Sequence, residues 1–274
     1  MEPHLLEDCK KWRIPGTDWI IQGFSQAGNK TGFAIFSLKL LFDAGLPTHK
    51  LPKMVLLTHS HSDHSFNIPC IAMGHKQRCP VYCPKEMEDP LKVMCRASQS
   101  LNDCTPLTEI NQVNTFGVKP GDCIDFNNIK INVIKCYHNV PSVGFELSIL
   151  KRSLKRKYVG LEGKELRNLK ESGTDITEKK YIKKFTFLGD TTIEVFNKDV
   201  LSSPVIMVEC TILDNELSPE ETENRGHIHW DQLRPIVESN PNTLFVLIHL
   251  SKRYSNEYIE SFFNNTYNNI YVWV

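Results

Sequence analysis

The sequence predicts an α/β protein in which two mixed β-sheets pack face to face and are flanked by helices. Strand-like apolar runs dominate the first half of the chain, whereas strands and helices alternate in the second half. This mixture fits two sheets sandwiched between helices, because each sheet must bury one face against another layer. The chain has 274 residues, of which 41% are hydrophobic, so it can form a large core. We therefore expect residues 1–274 to form a single domain.

Each predicted element rests on a local pattern. Short runs of apolar, β-branched and aromatic residues predict strands at 19–21, 31–38, 40–42, 55–57, 81–83, 129–137, 143–150, 185–188, 204–210, 243–250 and 270–274. Helical patterns cover 85–98, 230–239 and 254–263, and the last two helices each precede one of the last two strands. In the segment Phe42-Asp43-Ala44-Gly45, the glycine is expected to allow a tight turn.

The strongest functional signal follows the apolar run 54–57 and reads Thr58-His59-Ser60-His61-Ser62-Asp63-His64. Three imidazoles and a carboxylate so close together would be costly in a core, because each needs a polar partner. The same groups are good ligands for zinc. His59 and His61 alternate and so share one side of an extended turn, while Asp63 and His64 reach a second point. One loop can therefore serve two adjacent metal ions; the alternative is a solvated histidine-rich loop.

This motif resembles that of the metallo-β-lactamase superfamily of metal-dependent hydrolases, whose fold is the αβ/βα sandwich. The superfamily's remaining ligands have matches downstream, in the correct order and each at the end of an apolar run: His138, Asp190 and His249. By this resemblance, one zinc ion is held by His59, His61 and His138, and a second by Asp63, His64 and His249. Asp190 would bridge the two ions, for which manganese or iron are alternatives. Asp43 is expected to brace the metal-binding loop through hydrogen bonds.

Three further segments narrow the resemblance to ribonuclease Z (tRNase Z), the endonuclease family that removes 3′ trailers from precursor tRNA. They are Cys136-Tyr137-His138-Asn139-Val140-Pro141-Ser142-Val143-Gly144-Phe145-Glu146, Val208-Glu209-Cys210-Thr211 followed by Gly226-His227, and His249-Leu250-Ser251-Lys252-Arg253-Tyr254. The resemblance extends over residues 42–254 and departs from the family pattern at 27–30 and 66–69. It implies RNA, and specifically precursor tRNA, as the partner, and it is compatible with a homodimer.

The same resemblance assigns catalytic roles to Asp63, Glu209 and His227. Asp63 is expected to ligate one metal ion and to orient the nucleophile. His227, hydrogen-bonded to Glu209, is expected to protonate the leaving 3′ oxygen, because a carboxylate partner favours the imidazolium. His229 is a rival donor two residues past the family position, and a core or surface role is expected for it.

Residues 151–184 differ from the rest of the chain in charge. They contain 12 Lys and Arg residues against five Asp and Glu residues, a net charge of +7 in a chain whose total is zero. A charge run of this kind is either a solvated, partly disordered insertion or a patch that attracts a polyanion. Its position between two predicted ligands favours the second interpretation, an RNA-binding arm. The candidate phosphate contacts are Lys155, Arg156 and Lys157 in this arm, and Lys252 and Arg253 after the last ligand.

Composition also indicates the cellular compartment of the protein. Nine cysteines, an odd number without framework spacing, indicate reduced thiols. The N-terminus is acidic, and no run approaches the ~20 apolar residues of a membrane helix. We therefore expect a cytoplasmic or nuclear protein that is neither secreted nor membrane-bound. Two alternatives to an endoribonuclease stay open: a hydrolase of a small phosphodiester, β-lactam or thioester, and a non-catalytic RNA-binding relative.

Overall fold

The computed structural model describes residues 3–73, 79–110, 113–264 and 266–274. Strands in these ranges form two seven-stranded sheets. The first contains, in spatial order, β1 (Lys10–Arg13), β2 (Ile20–Gln26), β3 (Lys30–Ile35), β4 (Leu40–Phe42), β5 (Met54–Leu56), β6 (Val81–Pro84) and β7 (Thr115–Val118). The second contains β8 (Cys123–Phe126), β9 (Ile129–Lys135), β10 (Val143–Leu154), β11 (Thr177–Phe187), β12 (Val205–Glu209), β13 (Leu244–Ile248) and β14 (Ile270–Val272).

Both sheets are mixed in the same way. In the first sheet, β1 to β4 pair antiparallel and β4 to β7 pair parallel. In the second sheet, β8 to β11 pair antiparallel and β11 to β14 pair parallel. The two halves of the chain therefore share one strand topology, although no repeat is visible in the sequence.

The helices are α1 (Ser62–Ser65), α2 (Ile68–Met73), α3 (Glu88–Asp103), α4 (Gly163–Glu171), α5 (Pro219–Asn224), α6 (Trp230–Ser239) and α7 (Asn256–Phe263). Helix α1 lies in the loop after β5, and α4 buries none of its residues. The last helix begins two residues later than predicted because Ser255 caps it, its Oγ accepting from the Tyr258 N–H at 3.2 Å. No helix among the described residues is both long and apolar enough to cross a membrane.

Aromatic side chains join the two sheets in the central core. Phe33 and Phe42 of the first sheet meet Phe187 of the second, with ring centroids 5.7 Å and 4.8 Å apart. These rings are fully buried, and each contributes roughly 1.5–3 kcal/mol by leaving water. Separate apolar clusters pack α6 and α7 on the second sheet and α2 and α3 on the first. The predicted sandwich of two sheets between helices is therefore confirmed.

The main difference from the predicted elements lies in residues 151–184. The strands predicted to end at 150 and to begin at 185 continue as a paired hairpin up to the pair Leu154 and Thr177, and α4 lies in the connection beyond. The prediction stopped short because both faces of these strands are largely exposed, so they lack apolar alternation. The short strands β1, β7 and β8 were missed for the same reason, since each buries few residues.

Candidate metal centre

Loops at the ends of four strands converge on one site. The structure brings all seven predicted metal ligands together there: His59 and His61 follow β5, Asp63 and His64 lie in α1, His138 follows β9, Asp190 follows β11, and His249 follows β13. Placing the side chains on short loops anchored to rigid strands limits their freedom, which a metal site requires.

The first group of candidate ligands consists of His59, His61, His138 and Asp190. The Nε2 atom of His138 lies 3.3 Å from Nδ1 of His61. The Oδ2 atom of Asp190 lies 3.6 Å from Nε2 of His59 and 4.0 Å from Nε2 of His138. The three histidines are the residues expected to hold the first metal ion, and Asp190 is the one expected to bridge the two ions.

The second group consists of Asp63, His64 and His249. The two Nε2 atoms of its histidines are 3.3 Å apart, and Oδ2 of Asp63 lies 3.5 Å from Nε2 of His249. Asp190 touches this group as well, with Oδ1 at 3.5 Å from His64 and Oδ2 at 3.4 Å from His249. Its carboxylate therefore lies between the two groups, where a bridging ligand belongs.

These donors fit metal ions. Two ligand atoms on one tetrahedral zinc ion, each about 2.1 Å from it, are about 3.4 Å apart, close to the spacings seen here. The Nε2 atom of His59 is buried and has no hydrogen-bond partner among the described residues. A buried nitrogen without a partner is costly, and a metal ion would satisfy it. Imidazole nitrogens with carboxylate oxygens are the donor set that zinc and similar ions prefer.

Partners behind the rings aim the nitrogens inward. Four histidines engage Nδ1 on the outer side and leave Nε2 facing the cluster: His59 with Thr58 Oγ1 at 3.0 Å, His64 with Asp43 Oδ2 at 2.8 Å, His138 with the Gly226 carbonyl at 2.7 Å, and His249 with Thr211 Oγ1 at 3.2 Å. Such contacts fix the tautomer and the ring orientation of metal-binding histidines.

Asp43 makes the bracing contacts expected of it. Its buried carboxylate accepts hydrogen bonds from the Thr58 N–H at 2.8 Å and the Thr58 hydroxyl at 2.9 Å, besides its contact with His64. Glycine is required at position 45, but not for the reason predicted from the sequence. A Cβ atom at Gly45 would lie 1.8 Å from the Asp63 carbonyl oxygen, so close backbone approach rather than a tight turn requires glycine.

Charges within the cluster stabilise one another. Burial opposes a charged His64, but Asp190 and Asp43 outweigh it and raise the pKa of His64 to about 9. Burial and the neighbouring His64 hold the pKa of His59 well below its usual range. Burial also disfavours a charged Asp190, yet the surrounding histidines, His249 first among them, lower the pKa of Asp190. The carboxylate is therefore ionised and His59 neutral, which are the forms that bind metal, whereas His64 must lose a proton when it binds a metal ion.

Glu209 and His227 form the predicted pair beside this cluster. The His227 Nδ1 lies 2.9 Å and 3.2 Å from the two carboxylate oxygens of Glu209, which is almost completely buried. Burial disfavours the charged ring, but the carboxylate outweighs it and raises the pKa of His227 to about 9. His227 Nδ1 is also 4.0 Å from Asp190, but its bond to Glu209 occupies this atom. The ring lies outside the two groups described above, but with Asp190 and His249 it forms a third group of donors close enough to hold a metal ion.

Two further contacts were not predicted. The Thr211 hydroxyl donates to Glu209 Oε2 at 2.5 Å and joins that carboxylate to His249. The Gly28 N–H donates to Asp63 Oδ2 at 3.1 Å. The sequence identifies Thr211 only as part of the segment 208–211, and nothing in it signals a backbone donor. His229 has the core role expected of it: it is buried and caps α6, its Nδ1 accepting from the Asp231 N–H at 3.0 Å.

The predicted phosphate contacts lie in two places. The hairpin-tip cluster, Lys155-Arg156-Lys157, follows β10, and its first lysine donates to the Asp175 carbonyl at 2.7 Å. From the pair Phe145 and Phe187 near Asp190, the ladder runs about 30 Å to the tip, at about 3.3 Å per residue. The structure therefore does not bring this cluster to the metal centre of the same chain.

Lys252 and Arg253 lie closer to the metal centre than the hairpin tip does. They follow His249, the last candidate ligand, by three and four residues. Lys252 is exposed. Arg253 forms an ion pair with Glu216 and lines a cavity together with His227. Arg253 is therefore the one predicted phosphate contact that the structure places beside the candidate catalytic pair.

Comparison with known proteins agrees with this geometry. A family model described as a beta-lactamase superfamily domain matches residues 39–250. A tRNase Z of Arabidopsis thaliana is 30% identical in an alignment of 266 positions that covers 93% of this chain and 92% of that protein. A chloroplastic tRNase Z of the same plant is 26% identical in an alignment of 252 positions that covers 88% of this chain and 70% of that protein.

Solved structures share the fold. A metallo-beta-lactamase fold protein of Bacillus subtilis superposes with a TM-score of 0.56 at 14% identity, covering 92% of this chain and 95% of that one. Human tRNase Z, short form, superposes with a TM-score of 0.54 at 15% identity, covering 85% of this chain and 93% of that one. Both expectations, the fold and the family, are therefore confirmed. The chain belongs to the beta-lactamase superfamily and, within it, to the tRNase Z family.

Proposed function

We propose that the protein is a metal-dependent endoribonuclease that hydrolyses an RNA phosphodiester and removes 3′ trailers from precursor tRNA. The observation that carries this proposal is the buried Glu209–His227 pair beside a complete set of metal-binding donors. The thiolate of a thioester leaves without a proton, whereas expulsion of a 3′ oxygen requires a proton donor, which this pair supplies. The tRNase Z relatives support the same substrate class.

We assign two zinc ions to the centre. One ion would be held by His59, His61 and His138, and the other by Asp63, His64 and His249; Asp190 would contact both. Metal analysis of the purified protein would distinguish zinc from manganese or iron. When bound, such ions supply an activated water at neutral pH and stabilise charge on phosphate oxygens.

Asp63 and His227 divide the proton transfers between them. Asp63 is held by the Gly28 N–H, and its side chain is 14% exposed, so it can orient the attacking water and accept its proton. The water oxygen forms the new bond to phosphorus, and the bond from phosphorus to the 3′ oxygen breaks. His227 gives its proton to that oxygen, and Glu209 stabilises the imidazolium beforehand. The products are an upstream 3′-hydroxyl and a downstream 5′-phosphate.

We assign RNA binding to the hairpin of residues 151–184, an arm on a single domain of residues 1–274. Lys151 lies directly opposite Lys180, and Arg152 directly opposite Lys179. Like charges at opposing positions destabilise a β-ladder, and an RNA backbone would relieve that repulsion. The hairpin-tip cluster extends the same basic surface. We expect this chemistry in the cytoplasm or nucleus, where the cysteines stay reduced, and the functional unit to be a homodimer.

The test is a comparison of substrates. Zinc-loaded protein is incubated with a precursor tRNA, a chromogenic β-lactam and bis-p-nitrophenyl phosphate, each with and without chelator. We expect cleavage of the precursor at one position after the acceptor stem, loss of that activity with chelator, and no β-lactam turnover. Asp190→Ala serves as the inactive control, because it removes the carboxylate shared by both groups. Turnover of the β-lactam without RNA cleavage would overturn the proposal.

A further inference from the structure

The cavity beside His227 and Arg253 indicates how the RNA lies in the site. This cavity has a volume of about 300 Å³ and is lined by Asn139, Thr211, Ile212, Leu217, Thr222, Arg225, His227, Ser251 and Arg253. Two arginines and a histidine face it, and none of the described residues that line it is acidic. In a chain whose net charge is zero, such a lining selects for an anion.

The larger cavity on the other side of His138 differs in charge. It measures about 810 Å³, and its charged lining mixes Lys119 and Lys135 with Glu86, Glu194 and Glu223. Carboxylates repel a phosphate, so this space does not discriminate in favour of one. The smaller cavity is therefore better suited than this larger one to hold a phosphate group.

Both arginines are available to a phosphate. The Nε atom of Arg253 donates to Ser251 Oγ at 3.2 Å, and Nη1 pairs with Glu216, whose side chain is 69% exposed. An exposed pair of this kind contributes about 0–1 kcal/mol, so a phosphate that accepts two hydrogen bonds from the guanidinium can displace it. Arg225 ends α5 and makes no ion pair with any described residue.

The direction of the reaction determines which phosphate occupies the cavity. His227 protonates the leaving 3′ oxygen, which belongs to the nucleotide upstream of the scissile bond. The nucleotide that carries this oxygen must extend past His227, and the cavity lies there. We infer that Arg225 and Arg253 bind the phosphate immediately upstream of the scissile one and thereby position the leaving group. This assignment rests on the proposed function and makes it specific.

The test replaces one phosphate of the substrate by a neutral methylphosphonate. With the wild-type protein, we expect a methylphosphonate at the upstream position to slow single-turnover cleavage roughly 10- to 100-fold, since charge-assisted hydrogen bonds are lost. Arg225→Met should slow the unmodified substrate, and the methylphosphonate should then cost less than it does with the wild-type protein, because only the Arg253 contact is left to lose; with Arg225→Met and Arg253→Met combined it should add little. The same modification one position downstream serves as the substrate control. Arg234→Met, on an exposed face of α6, serves as the protein control.

Kinetic and binding measurements distinguish failure of this inference from failure of the proposed function. Independent, multiplicative losses from Arg225→Met and the upstream methylphosphonate would show that Arg225 does not contact that phosphate. Binding of a short RNA ending in a 3′-hydroxyl, followed by fluorescence anisotropy in chelator, gives a readout that needs no catalysis. Arg225→Met should weaken this binding only when the last phosphate is charged. Wild-type protein that cleaves no RNA would refute the function, whereas an equal anisotropy loss with both RNAs would refute the subsite.

Discussion

Replacing His227 by alanine is expected to slow RNA cleavage by about 10²–10⁴-fold, the usual contribution of a general acid. At about 1.36 kcal/mol per factor of ten, this loss is about 2.7–5.4 kcal/mol of transition-state stabilisation. We expect the effect to fall on proton transfer, because the His227 Nδ1 is bonded to Glu209 at 2.9 Å and the residue lies outside the two groups assigned to the metal ions. Metal content should therefore stay at the wild-type level. His227 also lies close enough to Asp190 and His249 to share a metal ion with them, so metal content is measured beside the rate.

The assay compares two leaving groups. An RNA with sulfur in place of the bridging 3′ oxygen leaves as a thiolate and needs little protonation, so it should restore most of the lost rate to His227→Ala. It should not restore activity to Asp63→Ala, which lacks a metal ligand and the acceptor for the water proton. His49→Ala, at an exposed histidine outside the site, is the matched control.

Two results would refute the reasoning about His227. Loss of metal from the alanine variant, measured by atomic emission after gel filtration, would make His227 a ligand. An equal defect on the oxygen and sulfur substrates would show that the ring does not protonate the leaving group.

Three further predictions follow from the same contacts. Asp43→Asn should weaken metal binding about 10–100-fold by releasing His64, as measured by competition with a chromophoric chelator, and an unchanged affinity would remove Asp43 from the centre. Gly45→Ala should lower the free energy of unfolding by about 1–3 kcal/mol or more in urea denaturation, because its Cβ would meet rigid backbone; Gly163→Ala, with nothing within 4 Å, is the control and should not destabilise. Neutralising the hairpin-tip cluster should weaken RNA binding, and the slope of log binding constant against log salt concentration should fall by about 0.7–0.9 per lost phosphate contact. Equal losses of cleavage rate on RNA and on bis-p-nitrophenyl phosphate would contradict an RNA-binding role of the arm.

The candidate metal ligands could be predicted because the motif at 58–64 resembles that of the superfamily, whose remaining ligands have matches downstream in the same order. His59, His138 and His249 each follow an apolar strand, and few other arrangements explain so many buried imidazoles. The family resemblance predicts that Glu209 pairs with His227, and the structure places His227 against the buried carboxylate. In each case the cost of burying a polar group without a partner restricts the possible structures.

Other features depend on tertiary contacts that a single sequence does not encode locally. The hairpin strands beyond Leu150 expose both faces, so no periodic pattern reveals them. The contact of Thr211 with His249 joins residues 38 positions apart, and the place of Arg225 in a cavity depends on the loop after β13. Gly45 was assigned to a turn because the approach of the Asp63 carbonyl is visible only in three dimensions.

Single-turnover cleavage of precursor tRNA in water enriched in oxygen-18 tests the central claim most directly. If water attacks phosphorus and the 3′ oxygen leaves with the proton of His227, mass spectrometry will find one heavy oxygen in the 5′-phosphate of the trailer. The upstream fragment will end in an unlabelled 3′-hydroxyl. An upstream fragment ending in a 2′,3′-cyclic phosphate or a 3′-phosphate would contradict the account.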